Sequence, residues 1–253
     1  AVAQQLEEGT IVVILPDSRD KYLSTELFTR KKEKRPKTTG LRFFNSLHHK
    51  KEIFQPLSPN KVTFYACGPT AYEYTNLAHC RRFIVADLIH RLLLNKGFNV
   101  HFYMNFTDLD DNTITGAAKA GKSLKEFTEH YISEFMKEIE VLGVQKATGY
   151  PRASEHVEEM INIAHELIHK GHAYEQHGSV YFDISKFKKY GKLSRVPLDK
   201  IKVGKTVDLD DYEKNNPLDF TLMKRSTLSE LKSGIFYQTD RGNMRPGWHM
   251  ECA

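Results

Sequence analysis

The 253 residues, 40% of them hydrophobic, suffice for one large domain or two small ones with a sizeable core. No apolar run approaches the ~20 residues of a membrane span and no signal peptide opens the chain. Three cysteines, an odd number, offer no disulfide framework and make a reducing cytoplasm the default, while a net charge of +5 permits a nucleic-acid partner without requiring one.

In chain order, residues 10–15 are β-branched and apolar and read as a strand, turned by Pro16, Asp17 and Ser18. Residues 29–40 (TRKKEKRPKTTG) are polar, charged and without apolar periodicity, the composition of a linker. A basic run of this kind is a solvated tether, with contact to RNA phosphates as the alternative. Residues 41–47 (LRFFNSL) alternate as a strand, and residues 50–60, with two prolines, read as a turn-rich loop.

The apolar run from Val62 to Ala66 reads as a buried strand that breaks at Cys67, Gly68, Pro69 and Thr70. Asn76, Leu77, Ala78 and His79 then lead to a helix over residues 82–96. Its apolar positions Phe83, Val85, Ala86, Ile89, Leu92 and Leu93 make a core face, and Gly97 ends it. A further strand follows over residues 99–105 (NVHFYMN). Strand, helix and strand within about forty residues make a βαβ unit with a right-handed crossover. Such a unit aims free N–H groups and a helix dipole at the sheet edge, where an anion such as a triphosphate fits. The plainer alternative leaves Cys67 as a small buried hydrophobe and His79 as a helix-start residue.

Thr107 and the acidic run Asp108, Asp110 and Asp111 follow the second strand, beyond whose carboxyl end ligands bind in open parallel sheets. Three aspartates at this spacing suit a metal, a substrate ammonium or helix capping equally. Residues 123–142 form an amphipathic helix with a capping box of Ser123 and Glu126, and residues 154–170 a second helix ended by Gly171. Residues 173–183 read as a hairpin turning at His177 and Gly178, and residues 186–215 are charged and lysine-rich.

GPTAYEYTNLAHCR resembles the region around the HIGH motif of class I aminoacyl-tRNA synthetases, in the form used by the cysteinyl enzymes. MNFTDLDDN, YPRASEH, YGKLS, NPLDFTLMK and RPGWHMEC recur downstream in that family's order. The resemblance implies an α/β fold: a Rossmann-like class I catalytic domain over residues 41–253, incomplete at its carboxyl end. It has a parallel sheet and an inserted connective peptide at about residues 113–215, with residues 216–224 as the return into the catalytic core. It implies ATP-dependent activation of L-cysteine to cysteinyl-adenylate and transfer to tRNA(Cys). ATP, arriving with Mg2+, would lie against Asn76 and His79; Gly68, Thr70 and Thr107 would face substrate and Trp248 would close the amino-acid pocket. Cys67 and Cys252 match two of the family's zinc ligands, the other two lying beyond the last residue. Zinc would select cysteine over serine by binding its sulfur.

Two motifs depart from the family pattern. The HIGH tetrapeptide reads Asn76, Leu77, Ala78, His79, and the lysine after the paired aspartates is Asn112. The resemblance stops short of the KMSKS loop and anticodon-binding region. Separately, GTIVVILPDSRDKYLSTELF within residues 1–28 resembles the carboxyl end of cysteine synthases and cystathionine β-synthases, implying an upstream pyridoxal-phosphate domain in a fusion. Two rival functions stay open: a related cysteine ligase of the mycothiol type, and a degenerate paralogue kept as a cysteine-binding or scaffold module.

Overall fold

β1 (Arg42–Asn45) pairs antiparallel with β2 (Lys50–Ile53). The computed structural model describes residues 40–58, 60–195, 214, 216 and 218–251; the strand and turn expected over residues 10–18, the linker apart from Gly40, and Cys252 lie outside them. β2 occupies part of the stretch expected to be loop. The hairpin closes because Asn45 accepts from the Leu47 N–H at 2.9 Å and donates to Glu52 at 2.7 Å, while His49 takes a left-handed φ of 56°.

The predicted βαβ unit is present. β3 (Lys61–Ala66) and β4 (Asn99–Met104) run parallel, in register from Lys61 against Asn99 to Ala66 against Met104. The crossover is α1 (Leu77–Asn95), which begins five residues before the expected start. Asn76 has an extended backbone and its side chain accepts from the His79 N–H at 3.0 Å, so the tetrapeptide is the helix cap and first turn rather than a loop before it. Gly97, at φ 88°, turns the chain out of the helix.

α1 buries Phe83, Ala86 and Leu93 against β3, β4 and a later helix. Phe83 is fully buried and meets Phe135 edge-on at 4.9 Å, and Phe106 meets the same ring at 5.5 Å. α2 (Asp111–Ala120) was not foreseen; Asp110 and Thr113 form its capping box. α3 (Leu124–Val141) starts at the expected Ser123, which accepts from the Glu126 N–H at 3.2 Å, while the Glu126 carboxylate lies 3.5 Å from Lys122. Residues 149–152 then lie parallel beside β4, with Met104 N–H donating to Gly149 at 3.2 Å and Phe106 N–H to Pro151 at 2.8 Å.

α4 (Val157–His169) leads into a hairpin of β5 (Ala173–Gln176) and β6 (Ser179–Phe182), turned at His177 and Gly178 as the sequence predicts. β7 (Phe220–Arg225), α5 (Leu228–Lys232), β8 (Tyr237–Thr239) and β9 (Gly242–Pro246) complete the described part. The strands form one antiparallel sheet in the order β5-β6-β7-β9-β8. The segment over residues 216–224, expected to return into the catalytic core, supplies β7, which pairs with the hairpin. Its core joins Met160 and Ala164 of α4 to Val180, Leu222, Met223 and Met244.

Phe83→Ala should lower the unfolding free energy by about 3–5 kcal/mol, the usual loss for a buried phenylalanine. Urea denaturation measures it, and a loss below about 1 kcal/mol would mean that α1 does not dock through this ring.

Candidate active site

At the carboxyl end of β3 the chain leaves the sheet through Cys67, Gly68, Pro69 and Thr70. A Cβ on Gly68 would lie 1.6 Å from the Asn105 carbonyl oxygen, so only glycine lets the two loops approach so closely. Asn105 fixes that approach by accepting from the Gly68 N–H at 2.9 Å and the Tyr65 hydroxyl at 2.8 Å. Two backbone bonds extend the pairing past the strands: Thr107 N–H donates to Pro69 at 3.1 Å and Ala71 N–H to Thr107 at 2.9 Å. Gly68, Thr70 and Thr107 therefore meet at one sheet edge.

The three aspartates have three separate roles. Asp108 is buried and accepts from the Ser154 N–H at 2.9 Å and its hydroxyl at 2.6 Å. Asp110 caps α2, and burial raises its pKa. Asp111 meets Lys224 of β7 at 2.6 Å and also Arg245 of β9, whose guanidinium reaches Glu230 at 2.7 Å. Burial would raise the Asp111 pKa, but the two cations outweigh it and hold it below the ordinary value. Lys224, Arg245 and Glu230 are all buried. The sequence did not reveal this cluster, although Lys224 and Arg245 belong to the quoted segments NPLDFTLMK and RPGWHMEC; a cation inside an apolar strand was the available signal.

Glu251, next to Cys252 in the sequence, carries no role in the sequence reading, which does not count it among the metal ligands. Its carboxyl oxygens are buried with no well-formed hydrogen bond. Burial pushes its pKa to about 9; the Thr107 hydroxyl and Arg245 pull down, Asp110 and Asp108 push up, and the group is neutral at pH 7.

A cleft of about 1370 Å³ opens between this sheet edge and the antiparallel sheet. Thr70, Asp110 and Asp111 line one side, and Phe220, Trp248 and His249 the other. Trp248 is 55% exposed there. Gly247 brings the Trp248 turn against β7, since a Cβ would lie 2.4 Å from the Thr221 carbonyl oxygen. Thr107 lies buried at the sheet edge, whereas Asn76 and His79 do not line this cleft. Cys67 is exposed. Among the described residues no three His, Cys, Asp or Glu side chains come together as a metal site, so they do not by themselves fit zinc, and Cys252 lies outside them. Nor, among them, is any helix long and apolar enough to cross a membrane.

A parallel βαβ unit with its polar loops gathered at the carboxyl edge defines a Rossmann-like α/β catalytic fold. The chain belongs to the family described as tRNA synthetases class I (C) catalytic domain, which matches residues 53–253. It is 46% identical over 213 residues to a cysteine–tRNA ligase of Methanosarcina mazei, covering 84% of this chain and 45% of that protein. It is 42% identical over 213 residues to that of Brachyspira hyodysenteriae, covering 83% and 44%, and 41% identical over 214 residues to that of Thermococcus kodakarensis, covering 85% and 44%. The chain thus spans a little under half the length of these relatives.

Asp111→Asn should destabilise the protein by roughly 2 kcal/mol at pH 7, because two buried cations lose their shared carboxylate; the figure is below that for a fully buried pair since Asp111 is half exposed. The Asp111 carboxyl has a lowered folded pKa, so its stabilisation is complete above its unfolded pKa and is lost as pH falls through the folded value. The gap between wild type and variant should therefore close below about pH 4. Equal stability at pH 7 would remove the network from the account.

Proposed function

We propose that this chain carries the first part of the catalytic region of a cysteine–tRNA ligase. The whole protein would activate L-cysteine with ATP to cysteinyl-adenylate and transfer the cysteinyl group to tRNA(Cys). The observation that carries the reading is the 46% identity to a cysteine–tRNA ligase over 84% of the chain. The geometry of the sheet edge supports it: Thr70 and Trp248 face one cleft, with Thr107 beneath it.

The residues described here would act by positioning and by placing dipoles, which supply much of the rate in adenylate chemistry. The first turn of α1 offers backbone N–H groups and a positive dipole end to the ATP phosphates. Asn76 holds that turn by capping it, and the half-buried His79 stands on it as a donor to phosphate. Thr70 and Thr107 face the amino acid, and Trp248 closes over it. Magnesium would arrive with ATP. Zinc would supply a thiolate-binding Lewis acid; on this chain the proposal involves Cys67 and Cys252 alone, and no step is assigned to it. Residues 1–28 carry the separate proposal of an upstream cysteine-synthase-type domain, which sequencing the transcript across this region tests.

Cysteine-dependent ATP–pyrophosphate exchange by the full-length protein tests the main reading. Exchange with cysteine and not serine is expected; none would favour the cysteine-binding paralogue, whose motive is the altered tetrapeptide. Exchange without tRNA charging, but with ligation of cysteine to an amino-sugar, would favour the mycothiol-type enzyme.

Two variants refine the site. Asn76→His replaces a neutral cap by a donor able to carry charge, so exchange should rise while stability falls by about 1 kcal/mol. No rise in exchange would mean that the turn is built around asparagine. Metal analysis of the full-length protein should find about one zinc per chain, lost on Cys67→Ser; zinc-free wild type would remove the metal and its role in choosing cysteine.

A further inference from the structure

The cleft wall that faces the sheet edge carries features that amino-acid activation leaves unused. A series of rings crosses it. Tyr190 lies 6.2 Å from Phe220 with planes 26° apart, Phe220 lies 4.7 Å from His249, and His249 lies 5.4 Å from Trp248. The two ends are open, Tyr190 being 37% and Trp248 55% exposed. Lys189 and Lys192 flank Tyr190, line the same cleft and are exposed. Among the described residues neither has a carboxylate within 4.0 Å. The turn that presents them is set by backbone bonds, Tyr190 N–H to Phe187 at 2.8 Å and Lys192 N–H to Lys189 at 3.1 Å.

A core-packing role explains Phe220 but not the lysines on either side of a partly exposed tyrosine. Aromatic faces alternating with unpaired cations are the means by which proteins hold single-stranded nucleic acid, bases stacking on rings and phosphates meeting lysines. We propose that Tyr190 is a base-stacking residue, and Lys189 and Lys192 phosphate contacts, for the single-stranded 3′ end of tRNA as it enters the cleft. This rests on the function proposed above and adds to it where the RNA strand runs: over the antiparallel-sheet wall, opposite Thr70 and Asp110.

The test uses the full-length protein with Tyr190→Ala, Tyr190→Phe and the double variant K189A/K192A. Each is assayed for cysteine-dependent pyrophosphate exchange, which needs no RNA, and for tRNA charging. Tyr190→Ala should raise the KM for tRNA about tenfold, in the range expected for one lost base stack, with exchange within twofold of wild type, and Tyr190→Phe should restore it. K189A/K192A should weaken tRNA binding and flatten its dependence on log salt by about 1.4, two contacts at about 0.7 each for a single strand. A tRNA lacking its single-stranded 3′ nucleotides should bind wild type and Tyr190→Ala equally. An unchanged KM and salt slope would overturn the proposal. So would a parallel loss of exchange in Tyr190→Ala, which would make the ring structural, provided the lysine variant also leaves the KM alone. Absence of exchange in wild type would instead overturn the underlying function.

Discussion

The site depends on one close approach, that of Gly68 to the backbone of Asn105. Parallel strands pair through slanted bonds and leave their carboxyl ends free to diverge. Here the divergence is prevented, because Asn105 ties the Gly68 N–H and the Tyr65 hydroxyl to a single side-chain oxygen. With no Cβ in the way, the chain continues pairing from Pro69 to Ala71 against Thr107 after the strands have ended. The threonines at the sheet edge thereby belong to the sheet rather than to mobile loops. A site that works by positioning needs such support, since small displacements of its groups cost large factors in rate.

The second constraint is ionic and joins the two walls of the cleft. Asp111, at the start of α2, reaches Lys224 and Arg245, which lie on neighbouring strands of the antiparallel sheet, and Arg245 also holds Glu230. Burying cations is costly unless they are paired and hydrogen-bonded. A displacement of one wall would therefore take the Asp111 carboxylate from Lys224 and leave Arg245 with Glu230 alone. The separation between Thr70 on one side and Trp248 on the other is maintained by this requirement as well as by apolar packing.

What could be read in the sequence followed from local rules. The βαβ unit announced itself by an apolar run, a Gly-Pro break and a periodic helix, and the β5–β6 hairpin by His177 and Gly178. α1 starts earlier than its apolar periodicity indicates because its first turn, residues 77–81, is polar or exposed and is held by the Asn76 cap, a strong local preference of asparagine. Helix capping, one of the alternatives open for the three aspartates, is what Asp110 does, although α2 itself was not expected. β7, β8 and β9 are short; β7 joins β6 across about forty residues of chain, and β9 joins β7 across about twenty. No periodicity in a single segment encodes such a register. The Asp111, Lys224, Arg245 cluster spans more than a hundred residues of chain and was invisible for the same reason.

The altered tetrapeptide now has a physical reading of its own. A histidine at position 76 would bring an imidazole toward the phosphates but would cap the helix less well than asparagine. Asparagine gives the opposite balance: its oxygen satisfies the His79 N–H, and the preceding residues of the turn keep their N–H groups for a ligand. Charge on one side chain is exchanged for a better-held ring of backbone donors. Backbone donors need no protonation and lose no rotamer freedom on binding, so a turn rebuilt in this way is compatible with phosphate binding rather than a sign of its loss. His79 remains on the same turn, one helical step from the cap, so under the proposed function asparagine at this position would change how an anion is held and keep the turn that would hold it.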